Sequence, residues 1–259
     1  MTANAEDLQK KPYKIIKTDK LKAVWDAKPN DFLIVDARNP EEYADVHIPG
    51  AINIPQNKFD EYTHLLTAER NTRIVFYCNG FKWGKSKNAA VTAAKMGYKN
   101  LFVYSEGMPV WEEFEYPSIK GPEYEAKVET VKMPVPDLAT LIKSGAEDFV
   151  IVDVRDEQEY AEGHIPGAVN IPVAAFASKS SILDEKKRII IYCNGGERSN
   201  KAYIKLMKLG YKKRFQSLFT DWKEAGQEIE NWTTTVYKTL DSVSRWSGLK
   251  KKQKPAKSS

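Results

Sequence analysis

The chain has 259 residues, 42% of them hydrophobic and 29% charged, with a formal net charge of +5. That length fits one large domain or two of about 130 residues. The apolar share excludes wholesale disorder, and 14 glycines with 13 prolines exclude a collagen-like or low-complexity chain.

The charge is uneven. From Arg245 onward there are six basic residues and no acid, so the first 244 residues carry −1. A short lysine-rich end reads as a solvated tail, so neither a nucleic-acid nor a membrane partner is expected. The start, Met-Thr-Ala-Asn-Ala-Glu-Asp-Leu, lacks the apolar core of a secretory leader. No run approaches the roughly 18 apolar residues of a membrane helix.

In chain order, Thr18 opens a short helix with Leu21, Val24 and Trp25 on one side. An almost unbroken apolar run at Phe32–Val35 predicts a strand buried on both faces, as does Ile74–Tyr77. A helical period over Ser86–Met96 ends at Gly97, and a shorter strand is expected at Leu101–Val103. After a polar, proline-marked joint the order recurs. A helix opens at Pro136, with Leu138, Leu141 and Ile142. Strands follow at Phe149–Val152 and Ile189–Tyr192, a helix at Ser199–Leu209 closed by Gly210, and a strand near Phe215–Leu218. A last helix from Thr233, carrying Val236, Leu240 and Val243, precedes the lysine-rich end.

The recurrence extends to identities. Phe32–Pro55 and Phe149–Pro172 share 16 of 24 residues at an offset of 117. Arg-Ile-Val-Phe-Tyr-Cys-Asn-Gly from Arg73 matches Arg-Ile-Ile-Ile-Tyr-Cys-Asn-Gly from Arg188. A period above 110 residues is the size of a domain, not of a solenoid unit. The expected organisation is a first domain over 12–118, a linker over 119–131, a second domain over 132–231 and an extension over 232–259. Alternating strands and helices predict an α/β fold. Each copy is then a mainly parallel five-stranded sheet flanked by helices. Trp111 and Trp222 recur and are expected in the two cores; His64 has no repeat partner and is expected at the surface.

The only two cysteines, Cys78 and Cys193, end equivalent buried strands. The carboxyl end of a strand in an α/β sheet is where ligands bind. Each cysteine precedes a glycine-bearing loop and a helix, where main-chain N–H groups can form an anion cradle and favour a nucleophilic thiolate. The second loop supplies Asn194, Gly195, Gly196, Glu197 and Arg198; Arg198 is placed to grip an anionic donor. The first supplies Asn79, Gly80, Lys82 and Lys85, is two residues longer before its matching serine, and has Lys85 as its cation. Asp36, Arg38, Glu42 and His47, with Asp153, Arg155, Glu159 and His164, read as ion pairing and turn bonding before acid–base catalysis.

The twofold pattern Asp-x-Arg-x-x-x-Glu-Tyr-x-x-x-His-Ile-Pro-Gly-Ala, followed by strand, cysteine loop, serine and helix, resembles the rhodanese (sulfurtransferase) family. The resemblance implies two rhodanese-like domains. It implies that Cys193, and Cys78 as its equivalent, take sulfane sulfur as a persulfide from a small donor anion such as thiosulfate. Cyanide or a thiol would accept it, and no cofactor or metal is needed. Main-chain amides from Asn194 to Arg198 would hold the persulfide. Two other readings compete. A rhodanese-related phosphatase or arsenate reductase typically has seven residues from cysteine through arginine, where the second loop has six and the first, counted to Lys85, has eight. A non-catalytic sulfur-carrier or regulatory module would typically lack the cysteine that both copies keep. The expected compartment is cytoplasm or periplasm, and a short two-copy chain without an organelle signal leans bacterial. No pattern in the chain specifies oligomeric state.

Overall fold

A computed structural model describes residues 11–122, 124 and 128–231. The helix expected from Thr233 and the lysine-rich tail lie outside the described residues. Among those described, no helix is long and apolar enough to cross a membrane.

The first domain runs β1 (Lys14–Ile16), α1 (Thr18–Ala27), β2 (Phe32–Asp36), α2 (Pro40–Asp45), β3 (Val46–His47), β4 (Ile52–Asn53), β5 (Arg73–Tyr77), α3 (Lys85–Lys95), β6 (Leu101–Tyr104), α4 (Gly107–Glu113) and β7 (Ile119–Lys120). Its main sheet has the order β1-β6-β5-β2-β4, every pair parallel. The short β3 and β7 pair antiparallel at the side. The second domain runs α5 (Val135–Lys143), β8 (Phe149–Asp153), α6 (Glu157–Glu162), β9 (Val169–Asn170), α7 (Phe176–Lys179), β10 (Arg188–Cys193), α8 (Glu197–Lys208), β11 (Arg214–Leu218) and α9 (Phe219–Glu224). Its sheet, β11-β10-β8-β9, is also parallel throughout.

The apolar runs became central strands for the expected reason. Ile74–Tyr77 and Ile189–Tyr192 are fully buried because helices cover both faces of each sheet. Each domain accordingly has two cores, one on either side of its sheet. Gly97 and Gly210 follow α3 and α8 with φ of +92° and +90°, the left-handed geometry that closes a helix. Trp111 and Trp222 are both buried, with their indole N–H groups donating to Pro117 O and Glu228 O.

The second sheet differs from the expected five strands in one respect. Where the first has β1 at its edge, the second has only a parallel bridge between Lys132 and Gln216. Gln216 N donates to Val131 O and Met133 N to Gln216 O, both at 2.8 Å. The ladder stops there because α5 starts at Val135, with Pro134 as its N-cap, and turns the chain away from the sheet edge.

The two domains touch through charged and aromatic groups. Glu113, at the end of α4, accepts from Ala177 N at 2.6 Å and Ser178 N at 2.9 Å, and pairs with Lys205 of α8 at 2.8 Å. One carboxylate thus serves two N–H groups at the start of α7 and one half-buried ammonium of the neighbouring domain. Inside the first domain the backbone packs tightly against Gly107, with φ +76°. A Cβ there would lie 2.3 Å from Gly80 N and 2.5 Å from Cys78 O. Both atoms are backbone and cannot move aside. Gly107→Ala is therefore expected to lower stability by about 2 kcal/mol or more, read as a lower denaturation midpoint.

Candidate active site

Cys193 is the last residue of β10, and α8 begins four residues later. Gly196 turns the chain into the helix with φ +99°, which a side chain would strain. That turn aims two main-chain donors back at the sulfur: Gly196 N at 3.2 Å and Ser199 N at 3.3 Å. The thiol in turn donates to Ser199 Oγ at 3.3 Å. Two N–H groups at a helix start form a cradle for a negatively charged sulfur. The loop is braced from outside by Thr220 Oγ1, which donates to Asn194 O at 3.0 Å. Gln216 of β11 braces it from below, donating to Gly196 O at 2.9 Å and Ser199 Oγ at 2.7 Å.

The repeated motif supplies the frame around this loop. Arg155 is buried and makes a forked pair with Asp153, at 3.0 Å from Nε and 2.6 Å from Nη2. Its remaining donors reach Gly163 O at 2.6 Å and Asn194 Oδ1 at 3.4 Å. Asn194 Nδ2 donates to Glu159 Oε1 at 2.8 Å. Glu159, which also closes the capping box of α6, receives both ends of the Arg198 guanidinium. Arg198 is therefore held at the rim by a carboxylate, with Asp156 at 3.6 Å, rather than projecting freely over the sulfur. Glu159 raises the guanidinium above its ordinary value, and the nearby Cys193 sulfur adds to the effect.

The first copy repeats the frame and changes the cradle. Arg38 pairs with buried Asp36 and donates to Asn79 Oδ1 at 3.2 Å. Asn79 Nδ2 donates to Glu42, which pairs with Lys85 at 2.9 Å. Cys78, however, faces oxygen. Its sulfur lies 3.7 Å from both Gly80 O and Trp83 O, and 3.3 Å from Ser86 Oγ. Among the described residues no main-chain N–H donates to it. Carbonyl oxygens receive an S–H and repel a thiolate, so this loop offers no anion cradle in the arrangement seen.

The longer loop has another use. Lys82, expected beside the sulfur, instead pairs with Glu185 of the second domain at 3.3 Å and lies 3.7 Å over the Tyr211 ring. Trp83 Nε1 donates to Lys208 O at 3.1 Å, and its ring packs on Gly210, where a Cβ would come within 2.9 Å. The added residues are an interdomain latch. A cleft of about 280 Å³ remains beside it, lined by Arg38, Glu42, Asn79, Trp83 and Lys208 among others.

Of the expected site residues, the structure gathers Cys193, Asn194, Gly195, Gly196, Glu197 and Arg198 at one helix start. Gly195 is exposed, and Glu197 is exposed and paired with Lys201. Cys78, Asn79, Gly80 and Lys85 gather separately, by the far end of α8. The 12 residues of that helix span about 18 Å, so the two sulfurs serve separate loops. Both histidines of the motif belong to turns. Nδ1 of His47 and of His164 lies 2.8 Å from Tyr43 O and Tyr160 O, with the rings stacked on those tyrosines. Gln216 and Thr220 were not singled out by the sequence. The available signal for Gln216 was a polar residue where strand register places the apolar Val103 in the first copy.

A family model for the rhodanese-like domain matches the chain twice, over residues 17–114 and 135–225. The chain belongs to the rhodanese family. A Bacillus subtilis protein bearing the name sulfur carrier protein YrkF is 40% identical over 67 residues, 26% of this chain and 36% of that protein. The thiosulfate sulfurtransferase GlpE of Coxiella burnetii is 33% identical over 78 residues, 29% of this chain and 73% of that protein. A solved thiosulfate sulfurtransferase from Pseudomonas aeruginosa is 20% identical, with a TM-score of 0.38, covering 84% of this chain and 43% of that one. Relatives of the chain include proteins named sulfurtransferases, which supports that activity at family level.

The Glu159 pair sets an acid limit on the rhodanese loop. Arg198 hydrogen bonds hold the Glu159 carboxyl down to about 2, against a smaller upward push from burial. Its ordinary value is 4.5. A carboxylate whose folded value is depressed contributes stability above the ordinary value and loses it as pH falls toward the folded one. Glu159→Gln is thus expected to flatten the loss of stability between pH 4.5 and about 2 while lowering stability at pH 7, measured by denaturant titration at each pH.

Proposed function

We propose that the chain is a sulfurtransferase in which Cys193 takes a sulfane sulfur from thiosulfate or a similar small anion. It then passes that sulfur to cyanide or a thiol. The observation that carries this reading is the pair of N–H groups, from Gly196 and Ser199, aimed at the Cys193 sulfur. The named relatives support the same activity class.

The chemistry follows from the cradle. The Cys193 thiolate attacks the outer sulfur of thiosulfate; a sulfur–sulfur bond forms, the donor's own breaks, and sulfite leaves with its electron pair. The product is a persulfide whose terminal sulfur carries the negative charge. The N–H groups of Glu197 and Arg198, in the first turn of α8, have no helical acceptor and are available to that second sulfur. Cyanide then attacks the terminal sulfur, thiocyanate departs and the thiolate returns. No proton moves in either step, which fits a loop without a histidine at the sulfur. Arg198, fixed by Glu159, presents positive charge at the rim for a dianionic donor.

Cys78 takes no part in this reading, since carbonyl groups face it. Incubation with thiosulfate is expected to add the mass of one sulfur atom per chain, mapped to the Cys193 peptide and removed by cyanide. Cys193→Ser abolishes that gain and the thiosulfate:cyanide activity, whereas Cys78→Ser keeps most of both. Faster turnover of an aryl phosphate than of thiosulfate would reject the proposal. Arg198→Ala is expected to raise the KM for thiosulfate about tenfold with a smaller change in kcat, the cost of one charge-assisted contact. Steady-state kinetics at varied thiosulfate measures the split.

A further inference from the structure

We propose that Gln216 is a positioning residue that holds both N–H donors of the Cys193 cradle, and that the segment Thr130–Lys132 fixes its orientation. This rests on reading Cys193 as the sulfur-carrying nucleophile.

Gln216 is 2% exposed, an uncommon place for a carboxamide unless every polar atom is used. Each is used. Nε2 donates to Gly196 O at 2.9 Å and to Ser199 Oγ at 2.7 Å. These are the two residues whose own N–H groups reach the sulfur. One side chain therefore sets the spacing of both donors. Oε1 accepts from Thr130 Oγ1 at 2.7 Å and from Lys132 Nζ. The amide cannot be turned round, because Lys132 only donates and the Gly196 carbonyl only accepts. The main chain of Gln216 is also tied on both sides, to Val131 O and Met133 N. The entry segment of the second domain is thereby wired to the cysteine loop through one residue.

The first domain serves as an internal comparison. Register puts Val103 in the place of Gln216, pairing with Phe76 as Gln216 pairs with Ile191. Valine has nothing to offer a loop. There, carbonyls rather than N–H groups face the sulfur.

The test reads thiol reactivity directly, without sulfur transfer. Alkylation of Cys193 by iodoacetamide, mapped by peptide mass, is followed at pH 7 and at about pH 10, above the ordinary thiol range. Gln216→Glu keeps the volume and the Lys132 partner but loses both donors. It is expected to slow alkylation at pH 7 about tenfold, the weight of a hydrogen bond to a charged group, with little change at the higher pH. Lys132→Met, an exposed site that disturbs no core, removes one of the two partners of Oε1 and is expected to give a smaller fall, about threefold, in the same ratio. A purely structural Gln216 would lower the melting temperature and leave the ratio of the two rates unchanged, and that result overturns the proposal. A normal ratio in Lys132→Met overturns the part assigned to Thr130–Lys132. If the parent moves no sulfur yet Gln216→Glu still shifts the ratio, the positioning role stands and the sulfurtransferase reading falls.

Discussion

A buried arginine on a buried aspartate, two residues apart in sequence, organises each half of this molecule. Asp36 with Arg38, and Asp153 with Arg155, sit at the carboxyl ends of β2 and β8 with almost no exposure. Such a pair is costly to bury unless every donor and acceptor is met. Here the guanidinium forks onto its aspartate, takes a turn carbonyl and finishes on the asparagine after the cysteine. The pair therefore joins three chain segments that are remote in sequence, and the cysteine loop is one of them. The glutamate of α2 or α6 closes the same circuit by holding that asparagine and the loop cation together.

On that common frame the two copies have parted. Between Cys193 and Ser199 the chain is short enough to wrap the sulfur, and N–H groups end up facing it. Two more residues before Ser86 give the first loop slack, which goes to Lys82 and Trp83 docking on the second domain. The same lengthening leaves the Gly80 and Trp83 carbonyls beside Cys78. The two loops thus turn opposite backbone poles toward their sulfurs, and that polarity separates a cradle for an anion from a pocket for a thiol.

The histidine turn shows how a motif with polar residues can be wholly architectural. Tyr43 and Tyr160 stack on His47 and His164 and donate their hydroxyls to Ala51 O and Ala168 O. Tyr77 and Tyr192, from the central strands, accept from Ile48 N and Ile165 N. Each turn is pinned to the strand that carries its cysteine, and no histidine ring is spent on the sulfur.

By itself the sequence determined the duplication, the α/β class, the central strands and the glycine-closed helices, because these follow from local periodicity and from one pattern written twice. It also marked both cysteines, since strand-end position and glycine content are local properties. Four things depended on the tertiary structure. The identical Cys-Asn-Gly starts gave no hint that N–H groups would face Cys193 and carbonyls Cys78, because that direction depends on how a whole loop closes against its neighbours. Lys82 looked like a site cation until the second domain supplied Glu185 and Tyr211. Arg198 looked free until α6 supplied Glu159. Gln216 acquires its meaning only when strand pairing brings it beneath a loop some twenty residues earlier in the chain. Contacts between segments distant in sequence leave no period and no spacing to read.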